Sequence, residues 1–341
     1  MSVRPIAIER TGLVTAVGLT AQECCAAFRA RIANPTETRF IDSAGAWIMA
    51  HQVALESPWR GLTKLAKMAA LAIAEALEDV PKSQWARLPL LLCVAERARP
   101  GRMAGLDDEL FALIEQEVGV RFDGRSSIVA EGRISAALSL AHARALMADA
   151  PDGRVLIAAV DSLLTWPTLI HYDSEARLLT ERNPNGFIPG EGAGAMLVSL
   201  AVDHAGLVCT GLGFGVEPAP VDADEPCRAE GLTRAIKSAL AEASFEMHDL
   251  DFRITDVAGE QYYFKEADLA LSRTLRQLKP SFDLWHPAEC IGDVGAAMGI
   301  AVLALAEAAL RKGYAPGRRA LAHLGVDAGR RAALTVGLMQ P

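Results

Sequence analysis

Short apolar runs alternate with longer amphipathic or apolar segments along most of the chain. The runs of strand length cover residues 89–94, 155–160, 195–200, 207–212 and 332–338. The segments of helix length cover residues 21–32, 64–77, 135–147, 232–243 and 297–312. This alternation predicts an α/β protein whose sheets are covered by helices. The helices that begin at Ser135 and Ala297 are apolar on nearly every side, so we expect them to form a central layer between two sheets.

The two halves of the chain also echo each other in the same order. Three pairs of similar segments are each separated by about half the chain length. Corresponding residues in the three pairs are Gly61 and Gly231, Gly132 and Val294, and Asp161 and Asp327. A repeat of this size predicts that one structural unit occurs twice. We therefore predict two similar halves, residues 1–202 and 203–341, packed as five α-β-α-β-α layers.

Composition narrows the class of protein. The 341 residues are 51% hydrophobic and 22% charged, which is typical of a folded chain and not of a disordered one. The net charge is −8, and no segment combines many Lys and Arg residues with aromatic ones, so we expect no nucleic-acid partner. The arginine-rich run at residues 97–102 is interpreted as a solvated loop.

Targeting patterns and cysteine spacing add two expectations. The first residues lack a signal-peptide pattern, and the longest apolar stretch, residues 294–310, contains Glu307 and is short for a membrane span. We expect a cytoplasmic protein with no membrane span. The six cysteines form no CxxC pair, so we expect reduced thiols, no metal site and no cofactor.

Three motifs give the chain a family resemblance. Residues 185–198 read NGFIPGEGAGAMLV, residues 11–18 read TGLVTAVG, and residues 291–301 read IGDVGAAMGIA. They resemble, in order and spacing, segments of the β-ketoacyl-acyl-carrier-protein synthases, which implies the thiolase fold, a duplicated α-β-α-β-α sandwich that is usually a homodimer. The residues of the first motif to which we assign a structural role are Gly186, Phe187, Gly190, Glu191, Gly192 and Gly194. The stretch from Gly190 to Gly194 is interpreted as a structural turn and not as a phosphate loop.

The same resemblance implies that the family's catalytic residues are missing. The nucleophilic cysteine is replaced by Gly132, or by Glu131 with a one-residue shift, and residues 94–208 contain no cysteine. The family's first histidine, second histidine and lysine are replaced by Ala258, Asp293 and Ala288. Its GFGGTN loop corresponds to the bulkier, charged residues 325–331. We therefore expect that the condensing reaction cannot proceed by the family mechanism.

Substituted charged residues define a candidate pocket. Glu131, Glu260 and Asp293 are expected to project toward the former catalytic site, with Arg133 beside them. Crowded carboxylates would raise one another's pKa and could carry out acid–base chemistry or bind a metal. The favoured alternative is that Arg133 or Arg330 pairs with them and fills the old cavity.

Two functions follow from these expectations. The first is a catalytically inactive scaffold, adaptor or partner subunit, as a homodimer or a heterodimer with a related synthase; a secretion effector, through type VI effector loading, or an acyl-carrier protein is a further possible partner. Residues 166–172 are predicted to offer a partner protein an exposed apolar patch. The alternative is a decarboxylase or hydrolase of acyl thioesters that uses Glu131 or Asp293.

Overall fold

The computed structural model describes residues 4–149, 153–201 and 206–339, so the predicted boundary between residues 202 and 203 lies outside the described residues. The strands are β1 (Ile6–Val14), β2 (Thr36–Ile41), β3 (Trp47–Ala50), β4 (Leu90–Val94), β5 (Ser127–Ala130), β6 (Arg154–Ser162), β7 (Glu191–Leu200), β8 (Gly206–Val216), β9 (Phe252–Thr255), β10 (Leu284–Trp285), β11 (Arg319–Gly325) and β12 (Arg330–Met339). The helices are α1 (Ala21–Ala30), α2 (Gly61–Ala76), α3 (Lys82–Trp85), α4 (Glu109–Val118), α5 (Ser135–Asp149), α6 (Trp166–Ser174), α7 (Glu230–Ala243), α8 (Gln261–Thr274), α9 (Ala288–Ile291) and α10 (Met298–Arg311).

The main sheet contains the same arrangement of strands twice. Its strand order is β10-β9-β11-β12-β8-β1-β7-β6-β4-β5. Read from the centre outward, the first set is β1-β7-β6-β4-β5 and the second set is β8-β12-β11-β9-β10. In each set, two antiparallel pairings are followed by two parallel ones. The sets meet where residues 6–8 of β1 pair with residues 207–209 of β8. The two sheets expected from the sequence are therefore hydrogen-bonded edge to edge into one.

Helices α5 and α10 form the central layer, and α10 packs against strands of both sets. Every residue of α10 from 298 to 310 is buried, which explains why its sequence has no polar face. Helices α2 and α4 cover the outer face of the first set, and α7 and α8 cover that of the second. Among the described helices, none is long and apolar enough to cross a membrane.

The glycine-rich motif has a different local structure from the one expected. Strand β7 begins at Glu191, so Gly192 and Gly194 lie within a strand and not in a turn, and neither has a positive φ. A Cβ on Gly192 would lie 3.0 Å from the Val14 carbonyl oxygen, and one on Gly194 would lie 2.7 Å from Ile300 Cγ2. These glycines are needed because β7 packs closely against β1 and α10.

Several elements have no clear signature in the apolar pattern. Strands β9 and β11 lie inside the second set, yet they contain Arg253 and His323. Both side chains are buried, and His323 Nδ1 makes a 3.1 Å hydrogen bond with the Thr255 hydroxyl. A polar residue with a buried partner interrupts the apolar run without interrupting the strand.

Candidate functional site

The position that the resemblance assigns to the nucleophile is a glycine in the left-handed conformation. Gly132, with a φ of 56°, begins the 3-10 turn Gly132–Ile134 that leads into α5. A Cβ built on Gly132 would overlap the Glu96 carboxylate. Gly295, with a φ of 54°, has the matching place before α10, where a Cβ would overlap the Asp161 carboxylate. The same glycine-dependent turn therefore precedes both central helices.

The next residue, Arg133, fills the space in front of α5 with its guanidinium group. Its Nη1 donates to Asp293 Oδ2 at 2.6 Å, and its Nε donates to the Gly325 carbonyl oxygen at 2.6 Å. Its Nη2 donates to Asp327 Oδ1 at 2.9 Å and to the Tyr263 hydroxyl at 3.2 Å. Arg133 is only 8% exposed, and these ion pairs and hydrogen bonds compensate the buried charge of its guanidinium group.

Asp327 connects Arg133 to a second guanidinium group, that of Arg177. Arg177 Nη1 donates to Asp327 Oδ2 at 2.7 Å, while its Nε and Nη2 donate to the two oxygens of Glu260 at 2.7 and 2.9 Å. The Tyr263 hydroxyl donates to Asp327 Oδ1 at 2.5 Å. Burial opposes the ionisation of Asp327, but Arg133 and Arg177 outweigh it and hold the Asp327 pKa well below its usual range. We call Arg133, Asp293, Asp327, Arg177 and Glu260 the Arg133 cluster.

Little space remains beside the Arg133 cluster. Asp256 Oδ2 lies 3.4 Å from Arg133 Nε and accepts a hydrogen bond from the Gly325 amide at 2.8 Å. Burial raises the pKa of Asp256, and Arg133 offsets this only in part. The cavity bounded by Asp256 and Tyr263 has a volume of about 10 Å³, which is the space of a single water molecule.

The predicted carboxylates do not share one enclosed pocket. The structure brings Asp293 and Glu260 into the Arg133 cluster, where each has its own guanidinium partner. Glu131 instead pairs with Arg330 at the rim, where the two side chains are 38% and 41% exposed. Glu131 immediately precedes the turn that begins at Gly132, and its side chain lies at the rim of the site.

Two further positions that the family resemblance singles out are alanines, whose side chains cannot transfer a proton. Ala288 is buried at the start of α9, and Ala258 packs beside Phe187 in a small apolar cluster.

Within the glycine-rich motif, the Gly190 amide donates to the Asp293 carbonyl oxygen at 2.8 Å. A Cβ on Gly186 would overlap the backbone at Leu178. This motif therefore positions the loop that carries Asp293.

Glu191, in the same motif, lies in a separate buried ion pair. It pairs with Lys64 of α2, and its Oε1 also accepts from the Val53 amide at 3.0 Å. Its Oε2 accepts from the Ser162 hydroxyl at 3.1 Å. These contacts join β7 to α2 and β6, so the carboxylate stabilises the fold and is not free for acid–base chemistry.

None of the six cysteines has the environment of a nucleophile. All are buried and free. Burial raises the thiol pKa to about 12 in four of them, Cys24, Cys25, Cys93 and Cys209. It raises the pKa of Cys290 to about 11, and it also raises the pKa of Cys227. A reactive cysteine needs a lowered pKa and access to solvent.

Arg99 lies in a second ion cluster. The sequence does not predict this cluster, because residues 97–102 resemble a solvated loop. Arg99 is buried, and it donates from Nη1 to Asp161 Oδ1 at 2.8 Å and from Nη2 to Glu96 Oε2 at 2.7 Å. Asp161 Oδ2 accepts from the Ala296 amide at 2.8 Å. Asp161 and Asp327, the acids of the repeated Val-Asp pattern, thus each lie in an ion cluster, and that repeat was the available signal.

No protein-family model matches the sequence, and no curated protein matches it. Solved structures match it over nearly its whole length. The ishigamide ketosynthase/chain length factor has a TM-score of 0.78 at 17% identity, with 99% of this chain and 100% of that chain covered. The chain has the thiolase-like fold of ketosynthases.

Two further structures support this fold. The oxazolomycin ketosynthase domain OzmH KS7 of Streptomyces albus JA3453 matches with a TM-score of 0.81 at 14% identity, covering 99% of this chain and 75% of that one. The AntDE:AntF complex of a type II acyl-carrier protein with its ketosynthase matches with a TM-score of 0.80 at 13% identity, covering 98% and 100%. The thiolase-like, duplicated layered fold predicted from the sequence is confirmed. At these identities the likeness is one of fold and assigns no role to a residue.

Proposed function

We propose that this chain is a non-catalytic subunit that pairs with a second chain of the same fold. The observation that carries the proposal is the buried Arg133 guanidinium, which lies at the start of α5 where the family resemblance implies a nucleophile. It makes hydrogen bonds to Asp293, Asp327, Tyr263 and the Gly325 carbonyl oxygen. An acyl thioester could enter only if this cluster were broken.

Breaking the cluster is costly. Removing one partner of a buried ion pair leaves the other charge without compensation, which costs about 3–5 kcal/mol. Arg133 compensates Asp293 and shares Asp327 with Arg177, so its movement would affect more than one carboxylate. The cluster therefore acts as a fixed part of the core and replaces a substrate-binding cavity.

The surface around α6 supports the pairing part of the proposal. Trp166 and Ile170 of α6 and Ile41 and Trp47 of the β2–β3 hairpin are each close to half exposed. The hairpin rests on α6, since the rings of Phe40 and Trp166 stack with centroids 5.9 Å apart. We call Ile41, Trp47, Trp166 and Ile170 the α6 patch. Several large apolar side chains exposed together are typical of a protein-binding surface.

The occupant that we propose for the α6 patch is a ketosynthase-fold chain. Two of the similar structures are a ketosynthase/chain length factor and a ketosynthase in complex with its chain length factor from Xenorhabdus doucetiae. A chain of this fold without a usable site fits the role of the non-catalytic member of such a pair. An acyl-carrier protein or a secretion effector would then bind the assembled pair.

Association of the purified full chain tests this proposal. Sedimentation equilibrium is measured for the chain alone and for the chain mixed with a ketosynthase encoded in the same genome. We expect a two-chain species in one of the two samples. The double variant Trp166→Asp/Ile170→Asp should weaken it at least about tenfold, or about 1.4 kcal/mol.

Leu278→Asp provides the matched control, since Leu278 is 98% exposed and lies outside the α6 patch. It should leave association unchanged. A monomer in both samples, or a two-chain species that the patch variant does not weaken, would contradict the proposal.

The alternative function, turnover of an acyl thioester by a substituted carboxylate, has one supporting observation. Glu131 is partly open to solvent beside the start of α5. Incubation of the pure chain with malonyl and acyl thioesters of N-acetylcysteamine should give neither carbon dioxide nor free thiol above the buffer rate. Turnover that disappears in Glu131→Gln or Asp293→Asn would establish the alternative instead.

A further inference from the structure

A second group of buried side chains that could bind a metal lies near the Arg133 cluster, since Glu266 lines the same small cavity as Asp256 and Tyr263. Glu217 follows β8, Cys227 lies in the loop before α7, and Glu266 is on α8. One ligand atom from each lies within 4.8 Å of the others. Glu217 and Glu266 are each 2% exposed and Cys227 is 8% exposed. In the described part of the chain, this is the one group of three such residues close enough to hold a metal ion.

The hydrogen bonds of Glu217 leave part of its carboxylate unsatisfied. Its Oε2 accepts from the Gly231 amide at 2.8 Å. Its Oε1 is buried and has no partner among the described residues. A buried carboxylate oxygen without a donor loses its hydration and gains nothing in return, which costs about 1–3 kcal/mol or more for a charged group. This oxygen is therefore available to bind a cation.

The charges around this group lead to the same conclusion. Arg331 donates from Nε to both oxygens of Glu266 at 2.8 and 2.9 Å, and it is itself buried. Two carboxyl groups therefore share a single guanidinium group, so acidic side chains outnumber basic ones at this site. A divalent cation, together with loss of the proton from the Cys227 thiol, would bring the group to neutrality.

We propose that Glu217, Cys227 and Glu266 form a binding site for a thiophilic divalent cation, for which Zn²⁺ is the best chemical match. A thiolate selects Zn²⁺ over the oxygen-preferring Mg²⁺ and Ca²⁺. This inference does not depend on the proposed function.

The geometry requires only a small contraction. Zinc binds sulfur at ~2.3 Å and carboxylate oxygen at ~2.0–2.2 Å, so tetrahedral ligand atoms lie about 3.6 Å from one another. The atoms of Glu217, Cys227 and Glu266 are already within 4.8 Å. Three protein ligands leave the fourth position for water. Arg331 keeps its contact with Glu266 and orients that carboxylate from the second coordination sphere.

A bound cation would connect the loop before α7 to α8. The Tyr262 hydroxyl of α8 already donates to the Ala219 carbonyl oxygen of this loop at 2.6 Å, and the Glu217 amide donates to the Gly329 carbonyl oxygen at 2.7 Å. The cation would add a third link between separate segments. Metal binding should therefore raise the free energy of unfolding.

Cobalt substitution of the full chain tests the site. The purified protein is stripped with a chelator, dialysed and titrated with Co²⁺, and the thiolate-to-cobalt charge-transfer band is followed in the near ultraviolet. We expect a band that saturates at one Co²⁺ per chain and that one equivalent of Zn²⁺ abolishes. Cys227→Ser should lose the band, and Glu217→Gln, which keeps an acceptor for the Gly231 amide, should weaken cobalt binding at least about tenfold.

Cys290→Ser is the matched control, because it removes a buried cysteine from a different part of the fold. It should retain the wild-type band. Circular dichroism of each variant establishes that it is folded before titration. No saturating band in the wild type, or a band that persists in a folded Cys227→Ser variant, would overturn the proposal.

Discussion

Arg133 and Asp293 are separated by 160 positions in the chain and are joined by a 2.6 Å hydrogen-bonded ion pair. Arg133 precedes the central helix of the first half, and Asp293 precedes that of the second. The pair therefore ties together the two ends at which the central helices begin. In the ketosynthases that the sequence resembles, the resemblance implies a cysteine and a histidine near these two places.

The first prediction concerns the stability of this pair. Arg133→Met keeps much of the side-chain volume but leaves Asp293 and Asp327 without one of their cations. We expect the free energy of unfolding to fall by about 3–5 kcal/mol, because a buried charge loses its partner. Urea denaturation followed by circular dichroism measures this change.

Arg97→Met is the control for loss of an arginine at the surface, since the Arg97 side chain is 77% exposed. Its effect should stay within about 0.5 kcal/mol. Equal stabilities for Arg133→Met and Arg97→Met would show that the Arg133 cluster contributes nothing to the folded state.

The second prediction separates backbone strain from close packing at the turn before α10. Gly295 and Gly313 both have positive φ, 54° and 70°, but a Cβ would meet the Asp161 carboxylate only at Gly295. Gly313→Ala should cost about 1–2 kcal/mol through its backbone conformation alone. Gly295→Ala should cost at least about 2 kcal/mol more, because Asp161 must shift from Arg99.

Thermal and urea unfolding of both variants give this comparison. If Gly295→Ala and Gly313→Ala lower stability by the same amount, the contact between the turn and Asp161 is not tight. Gly132→Ala should behave like Gly295→Ala, since its Cβ would meet the Glu96 carboxylate.

The third prediction is a dependence of stability on pH. Burial lowers the pKa of His323 to about 3, below its ordinary value of 6.5. Below pH 6.5 the unfolded chain takes up a proton at this histidine and the folded chain does not. The contribution of neutral His323 to the free energy of unfolding should therefore be fully present above pH 6.5 and be lost as the pH decreases toward 3. Between pH 6.5 and 5 this loss should amount to roughly 2 kcal/mol.

His323→Gln should reduce this loss, and urea denaturation at pH 7 and pH 5 measures it. Burial also lowers the pKa of His51, to about 4, so part of the pH dependence should remain in the variant. His142→Gln, which replaces an exposed histidine of α5, is the control substitution. An identical loss of stability in wild type and His323→Gln would contradict the prediction.

The fourth prediction concerns thiol reactivity. All six cysteines are buried, and burial raises their pKa. At neutral pH, iodoacetamide should label none of them rapidly in the folded chain, because the reagent attacks exposed thiolates. Intact-mass spectrometry should show six additions in denaturant. Rapid single labelling of the folded protein would instead reveal an activated cysteine.

Much of the fold could be predicted because hydrophobic periodicity reports burial. The apolar segments at 135–147 and 297–312 predicted α5 and α10, which are enclosed between the two strand sets. Periodicity failed for β9 and β11, where Arg253 and His323 occupy buried positions. It also gave no sign that Gly192 and Gly194 lie within a strand.

The candidate site was predicted only in part. The sequence suggests that Arg133 or Arg330 pairs with the carboxylates, and the structure places Arg133 against Asp293. The sequence gives no sign of Arg177 and Tyr263, although both contact Asp327. Arg177 lies in the loop after α6 and Tyr263 lies on α8, and the apolar pattern relates neither segment to residues 325–331.

By itself the sequence determined the duplicated α/β architecture and the apolar central helices. The tertiary structure decided which charges meet. Arg177 and Glu260 are 83 positions apart, and Arg133 and Asp327 are 194 positions apart. Burial depends on local periodicity, which a sequence displays. The partner of a buried charge depends on which strand and helix ends meet in the folded chain, and only packing settles that.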